Sequence, residues 1–258
     1  MSSEIVVARE GSVQVVRINR PEKKNALTRA MYDTMTAALK AAEANDDISV
    51  HLITGTGGVF CAGNDINDFA KRATDLNREG GASSLIATLP VLKKPIIAAV
   101  DGLAIGVGVT MLFHCDLVYA SPTASFRTPF LDLGLVMEAA SSLLAPRIMG
   151  HQRAFELLCY GEPYTPQMAQ AAGFVNRIVP AATLEAEAMK AAQRLAAKPP
   201  KALAAARRLL KGTAPDEALA RMKEEGHVFA ELLASNEAKE AFAAFLEKRK
   251  PDFAKLRK

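Results

Sequence analysis

The chain has 258 residues, enough for one large domain or two modest ones. Half of its residues are hydrophobic and 23% are charged, which is typical of a folded globular protein and excludes a disordered chain. The 32 basic and 28 acidic residues leave a net charge of +4. This balance gives no indication of nucleic-acid binding, although a local basic patch could still hold a phosphorylated ligand.

Cysteine usage and the N-terminal sequence both bear on the compartment. Cys61, Cys115 and Cys159 are too few and too scattered for a disulfide framework, and they lack the spacing of a zinc site. The first twenty residues contain Glu4 and Glu10 and lack the apolar core of a signal peptide. We therefore expect a cytoplasmic protein in a reducing compartment.

The first half of the sequence alternates between strand and helix patterns. Two alternating segments around a Glu-Gly-Ser turn predict a β-hairpin, and Thr28 is placed to cap the helix that follows. The predicted strands are residues 4–9, 13–19, 49–54, 95–100, 117–120 and 124–127. The predicted helices are residues 29–43, 65–71 and 83–92.

The most hydrophobic stretch, residues 95–113, is long enough to raise the question of a membrane span. Asp101 and the glycines Gly102, Gly106 and Gly108 interrupt it. We therefore expect no membrane interaction. The pattern favours a buried strand and then a glycine-rich turn that feeds a buried helix, the turn and helix together spanning residues 102–116.

From about residue 165 the composition shifts to alanine-rich helical patterns. The predicted helices are residues 168–172, 183–197, 201–211, 215–233 and 236–249. Repeated strand–strand–helix units before them indicate an α/β core. We expect this core to span residues 1–198 and a helical packing or oligomerisation region to span residues 199–258.

Two loops are candidates for chemistry because each places glycine before a predicted helix. They are residues 61–66 and residues 102–108. Glycine lets a backbone approach a ligand closely, and free N–H groups at a helix start favour an anion. If these loops face one another, they form an oxyanion hole with two donors.

Glu138 is the most unusual acid because apolar residues flank it in the sequence GLVMEAASS at positions 134–142. It is either a helix N-terminal acid stabilised by the helix dipole or a desolvated base, and the residues alone leave both interpretations open. His114, Cys115 and Asp116 are ligand-type residues, but three consecutive side chains cannot converge on one metal. We expect no metal site there.

Four motifs, taken together, resemble those of the crotonase, or enoyl-CoA hydratase/isomerase, superfamily. They are NRPEKKNAL at 19–27, FCAGNDI at 60–66, AVDGLAIGVG at 99–108 with HCD at 114–116, and FRTPFLDLG at 126–134. Their order and spacing cover about the first 180 residues. The resemblance implies an α/β fold of the ClpP/crotonase type, a spiral of β-β-α units followed by a C-terminal helical trimerisation region. It also implies a homotrimer or a dimer of trimers, and a coenzyme A thioester as ligand.

The resemblance also implies which residues form the site. The family's oxyanion hole uses two backbone N–H groups, which correspond to Asn64 and Val107. Lys24 is a candidate phosphate contact, and Lys248 and Lys250 could reach the ligand of a neighbouring subunit. The expected substrate- and coenzyme A-binding residues are Lys24, Ala62, Gly63, Asn64, Asp65 and Ile66.

Two departures from the family pattern point to a subtype. Where the hydratases have two glutamates, this sequence has Thr110 and Phe130. The segment PFLDLGLVME at 129–138 resembles the peroxisomal-type Δ3-Δ2-enoyl-CoA isomerase branch, whose single glutamate corresponds to Glu138. The resemblance therefore implies a 3-enoyl-CoA isomerase of fatty acid metabolism that needs no metal, nicotinamide or flavin. The alternatives are an enoyl-CoA hydratase and a non-catalytic acyl-CoA-binding protein.

Overall fold

The structure is a computed structural model that describes residues 3–66, 68, 81–247 and 249–256. Strands dominate the first half and helices the second. The strands are β1 Ile5–Glu10, β2 Val13–Ile18, β3 Val50–Gly55, β4 Ile96–Val100, β5 Leu103–Ile105, β6 Leu117–Ala120, β7 Ser125–Arg127 and β8 Arg177–Ile178. The helices are α1 Arg29–Glu43, α2 Ala82–Thr88, α3 Val107–Thr110, α4 Ser141–Met149, α5 His151–Phe155, α6 Pro166–Ala172, α7 Ala181–Ala196, α8 Pro200–Lys211, α9 Ala214–Leu233 and α10 Asn236–Leu246.

The strands form two layers. Six of them make one sheet in the order β1-β2-β3-β4-β6-β8, in which the β1–β2 hairpin is antiparallel and all other pairs are parallel. β5 pairs with β7 in a second, parallel sheet. Isolated bridges from Leu27 to Asn64 and from Cys61 to Ala104 continue this second layer. The chain therefore rises as a spiral of β-β-α units followed by helices, which confirms the predicted fold.

Apolar runs in the large sheet reflect burial on both of its faces. Along β2, Val16 and Ile18 belong to the core cluster that includes the buried side of α1, whereas Val13 and Val15 point to the opposite face. The opposite face is covered by α7 through Leu184, Ala188, Met189 and Ala192. A parallel sheet covered on both sides needs nearly continuous hydrophobic strands, which is the pattern seen in the sequence.

The glycine-rich segment differs from its prediction. Residues 102–116 were expected to form a turn and one buried helix, but they contain strand β5, the four-residue helix α3 and a 3-10 helix at Met111–His114. The buried helical stretch is present at residues 107–114, but the prediction missed β5, which is held by its pairing with β7, a long-range contact with no local signature. The predicted helix at residues 65–71 lies mostly outside the described residues. No helix in the described part of the chain is long and apolar enough to cross a bilayer.

The C-terminal helices pack against the core of the same chain. Leu135 clusters with Phe229 and Leu233 of α9 and with Ala238 of α10. Phe242 of α10 packs against this cluster. This contact places α9 and α10 over the segment that carries Glu138.

Candidate active site

A cavity of about 890 Å³ lies between the two glycine loops, the segment after β7 and the C-terminal helices. Every one of the five residues from 62 to 66 lines it, as do Val107 and Glu138. Most other lining side chains are apolar. They include Ile105, Pro129, Phe130, Leu133, Leu135, Phe229, Phe242, Phe245 and Phe253. The cavity therefore brings together the predicted oxyanion donors, the predicted base and four of the five other residues expected to bind substrate.

The two glycine loops contact each other directly. The N–H of Cys61 donates to the Leu103 carbonyl, and the N–H of Ile105 donates to the Cys61 carbonyl, both at 2.9 Å. A Cβ atom on Gly63 would lie 3.1 Å from the Ile105 carbonyl oxygen, and one on Gly108 would lie 2.8 Å from the Cys61 carbonyl oxygen. Glycine at these positions is therefore required for the close approach of the two loops.

The backbone around Asn64 and Val107 leaves two N–H groups available at the cavity. The Leu27 N–H donates to the Gly63 carbonyl, and the Leu27 carbonyl accepts from the Asp65 N–H. Because these two hydrogen bonds lie on one edge of the backbone, the N–H of Asn64 between them points to the opposite edge. Val107 is the first residue of α3 and has no intrahelical acceptor. Within the described ranges neither N–H donates a hydrogen bond. This arrangement can accept a negatively charged oxygen between two backbone donors.

The side chain of Asn64 is also fixed. The hydroxyl of Tyr32 donates to Asn64 Oδ1 at 2.6 Å, and Tyr32 is almost completely buried on α1. Burial raises the pKa of the neighbouring Cys61 thiol to about 12, so this cysteine stays protonated and is not a nucleophile. The first glycine loop is thus held by a buried tyrosine on one side and by β5 on the other.

Glu138 lies beside Thr110 at the second loop. The Thr110 hydroxyl donates to Glu138 Oε1 at 2.5 Å, and Thr110 is fully buried at the C-terminal end of α3. Phe130 is also buried and lines the same cavity. The two positions that the sequence resemblance matches to hydratase glutamates therefore hold a hydroxyl that binds Glu138 and an aromatic ring.

The other described acids that line the cavity are engaged by arginines. Asp65 Oδ2 lies 2.8 Å from the Arg20 guanidinium, and both side chains are largely buried. Asp132 lies 3.0 Å from Arg127, and its side chain is 57% exposed. Each of these two carboxylates is therefore paired with an arginine, whereas the Glu138 carboxylate accepts a hydrogen bond from a hydroxyl.

His114 has a structural role. Burial lowers its pKa to about 4, so the ring is neutral near pH 7 and its Nε2–H donates to the Ala139 carbonyl at 2.8 Å. The neighbouring Asp116 instead accepts from the Ile96 N–H and pairs with Arg207. Among the described residues, no group of three or more His, Cys, Asp or Glu side chains could hold a metal ion.

The basic residues at the cavity differ in part from those expected. Lys23 lines the cavity, whereas Lys24 is exposed beside it and contributes its carbonyl oxygen to the Ala62 N–H at 3.0 Å. Lys250 and Arg249 line the cavity of their own chain. Lys248 lies outside the described residues.

Comparison with known proteins supports the assignment that the motifs suggested. The sequence profile of the family described as enoyl-CoA hydratase/isomerase matches residues 8–256. The chain belongs to the enoyl-CoA hydratase/isomerase family. A crystal structure of an enoyl-CoA hydratase/isomerase from Pseudoalteromonas atlantica superposes with a TM-score of 0.91 at 42% identity, covering 97% of this chain and 100% of that one.

Relatives in the enoyl-CoA hydratase/isomerase family include both kinds of enzyme. The chain is 34% identical to the 2,3-dehydroadipyl-CoA hydratase of Escherichia coli, over 97% of this chain and 98% of that protein. It is 33% identical to enoyl-CoA delta isomerase 2 of Rattus norvegicus, over 97% of this chain and 65% of that longer protein. The chain is therefore a crotonase-superfamily enzyme of the acyl-CoA hydratase/isomerase type. The choice between the two reactions rests on the acids of the cavity.

Sequence reasoning missed several residues of the site. Tyr32 lies in no motif, Lys23 lies in the 19–27 motif beside the expected Lys24 but was not singled out, and the Thr110 hydroxyl was recognised only as a replaced glutamate. The aromatic side chains Phe229, Phe242, Phe245 and Phe253 come from the region expected to serve assembly. The apolar pattern of α9 and α10 predicts a buried face but does not identify the surface that it covers.

Proposed function

We propose that the protein is a Δ3-Δ2-enoyl-CoA isomerase of fatty acid metabolism, with Glu138 as its catalytic acid–base. The observation that supports this most directly is the contact between Thr110 and Glu138 in the cavity that the Asn64 and Val107 N–H groups also line. The Glu138 carboxylate therefore lies in the same cavity as the two backbone donors. A 1,3-proton shift needs only one base, provided that the base can take and return the proton.

The proposed reaction begins with the thioester carbonyl oxygen between the Asn64 and Val107 N–H groups. Glu138 takes a proton from C2, and the electrons of that C–H bond form a dienolate whose charge lies on the thioester oxygen. Each N–H donor stabilises this charge by about 3–4 kcal/mol. Protonated Glu138 then returns the proton to C4, and the double bond moves from C3–C4 to C2–C3 with no net gain or loss of atoms.

Two features favour isomerisation over hydration. A hydratase orients and splits water between two carboxylates, but Thr110 and Phe130 supply none at those positions. Phe130, Leu135 and the aromatic side chains of the C-terminal helices give the cavity apolar walls that exclude water. The similarity to a 2,3-dehydroadipyl-CoA hydratase keeps hydration as the second candidate function.

Coenzyme A binding and assembly are further parts of this proposal. Residues 62–66, Lys23 and Lys250 line the cavity, and Lys24 is exposed beside it; we propose that these residues contact coenzyme A, the three lysines through its phosphates. We propose that the helical region, residues 199–258, mediates formation of a trimer or of a dimer of trimers. Its α8 helix exposes Leu209 and Leu210 at 71% and 89%, which is typical of a surface that binds another chain.

A substrate assay with matched variants tests the function. We expect 3-hexenoyl-CoA to be converted to the 2-enoyl thioester, measured by the rise in its absorbance, and crotonyl-CoA to be hydrated poorly. Glu138→Gln keeps the size of the side chain and removes the base, so we expect a loss of about 10⁴-fold in kcat. The control Asp132→Asn should retain activity. Hydration as fast as isomerisation, or a Glu138→Gln enzyme within threefold of wild type, would overturn the assignment.

A further inference from the structure

The loop that follows Glu138 has a backbone conformation that local interactions do not favour. Ala139 and Ala140 have φ angles of 59° and 56°, so two consecutive residues with side chains occupy the left-handed region. Non-glycine residues adopt this region rarely because Cβ approaches the backbone oxygen. Such a pair persists only where the surrounding structure holds it in place.

A buried acid from the C-terminal helices holds this loop. Glu225 on α9 is only 6% exposed, and its Oε2 accepts a hydrogen bond from the Ala140 N–H at 2.7 Å. Its Oε1 accepts from the Ser142 N–H at 3.0 Å and from the Ser142 hydroxyl at 2.6 Å. Both carboxylate oxygens are thus used on the backbone immediately after Glu138.

Other hydrogen bonds also hold the backbone of this loop in place. His114 donates to the Ala139 carbonyl, and Ser141 donates to the Glu138 carbonyl from its N–H at 3.1 Å and from its hydroxyl at 2.6 Å. Glu225 is the member of this set that comes from outside the α/β core. It therefore links the C-terminal helices to the position of Glu138.

Packing alone does not explain an acid at position 225. Burial raises the pKa of Glu225, since desolvation outweighs the hydrogen bonds from Ser142 and Ala140 and the charge of Arg221. A leucine would fill the same space without this desolvation cost. What the carboxylate adds is two acceptor atoms spaced to bind N–H groups two residues apart.

We propose that Glu225 is a positioning residue, which fixes the turn after Glu138 and so holds the Glu138 carboxylate beside Thr110 and the cavity. This inference rests on the proposed function, because it assigns Glu225 a role in proton transfer through Glu138. Misplacement of a catalytic group by about 1 Å can lower a rate by about 100-fold. The effect of Glu225 is therefore expected on kcat and not on ligand affinity.

The substitution Glu225→Gln tests this with almost no change in volume. The amide nitrogen of glutamine is a donor and must face one of the loop's N–H groups, so one hydrogen bond is lost. We expect kcat for 3-hexenoyl-CoA to fall by about 10- to 100-fold, with KM within about threefold of wild type. Glu231→Gln, on an exposed position of the same helix, is the matched control and should leave both constants unchanged.

A double variant separates positioning from a general loss of stability. If Glu225 acts through Glu138, adding Glu225→Gln to Glu138→Gln should lower kcat no further. Ser142→Ala removes the hydroxyl that donates to Glu225 and introduces no new donor. If Glu225→Gln folds poorly, this variant still tests the contact between Glu225 and the loop after Glu138. We expect Ser142→Ala to lower kcat by about threefold at unchanged KM.

The outcomes distinguish this inference from the proposed function. A folded Glu225→Gln enzyme with kcat within twofold of wild type overturns the inference, as does a Ser142→Ala enzyme with unchanged kcat or a further loss in the double variant. In these cases an inactive Glu138→Gln enzyme leaves the proposed function standing. An active Glu138→Gln enzyme refutes the proposed function itself.

Discussion

The Thr110 hydroxyl donates a hydrogen bond of 2.5 Å to Glu138 Oε1, across 28 positions of the sequence. Thr110 belongs to the short helix α3, whose first residue supplies the Val107 N–H. The proposed base and one proposed oxyanion donor are therefore linked through a single turn of helix. A displacement of α3 would disturb both groups together.

Thr110→Val tests this link because it keeps the shape of the side chain and removes the hydroxyl. The variant removes one of the contacts that hold Glu138, and we expect kcat for 3-hexenoyl-CoA to fall by about tenfold. Steady-state kinetics and a thermal melt measure the activity and the stability. Thr88→Val is a matched control, since it removes another buried threonine hydroxyl, which donates to the Ser84 carbonyl on α2. Equal losses of activity in the two variants would contradict a specific role for Thr110.

Much of the architecture could be predicted from local sequence. The alternation in β1 and β2 indicated the hairpin, and Thr28 does accept from the Met31 N–H as the expected cap of α1. The strand at residues 95–100 was recognisable because burial on both faces of a parallel sheet demands a continuous apolar run. These features depend on residues that are close in the chain.

The contacts that position the site could not be predicted in this way. β5 has only three residues and becomes a strand through its pairing with β7 and Cys61. Glu225 reaches Ala140 across 85 positions, and nothing in the charge pattern of α9 separates it from the exposed Glu224. Both relationships arise from tertiary packing, which overrides local propensity.

Stability should depend on pH through Glu43 at the end of α1. Burial acts to raise the pKa of Glu43, but hydrogen bonds with His51 at 3.2 Å and from the Lys93 and Lys94 N–H groups at 2.8 and 3.1 Å outweigh it. The folded-state pKa is therefore below the ordinary value of 4.5. As the pH falls, Glu43 takes up its proton in the unfolded chain before it does so in the folded protein. The stability that ionised Glu43 contributes is therefore present above pH 4.5 and is lost as the pH falls through its folded-state pKa.

Glu43→Gln makes this dependence measurable. At pH 7 we expect its free energy of unfolding to be about 1–2 kcal/mol below that of wild type, measured by urea denaturation. Below pH 4.5 the difference between the two proteins should shrink, because wild type is protonated as well. Glu187→Gln removes an exposed ion pair with Lys190 and should change stability by less than about 0.5 kcal/mol. If the difference in free energy of unfolding between wild type and Glu43→Gln stayed constant from pH 7 to pH 3, the lowered pKa of Glu43 would be contradicted.

The proposed assembly is best tested by substitutions in α8, because no residue of this helix, which the structure describes throughout, lines the cavity. Deleting residues 215–258 would remove Glu225 and the cavity-lining Phe229 and Phe242, so a loss of activity would not report on assembly alone. The double substitution Leu209→Ser with Leu210→Ser instead removes two exposed apolar side chains.

Light scattering at micromolar concentration should give a trimer or a hexamer for the wild-type protein. The double variant should give smaller species, because burial of two leucines contributes about 1.5–3 kcal/mol each to an interface. Val7→Ser, at another exposed apolar side chain on β1, is the control and should not change the mass. A wild-type monomer would refute the proposed assembly. An unchanged mass in the double variant would show that α8 lies outside the interface. Substitutions of the exposed Phe155 and Tyr160 would then be tested in the same way.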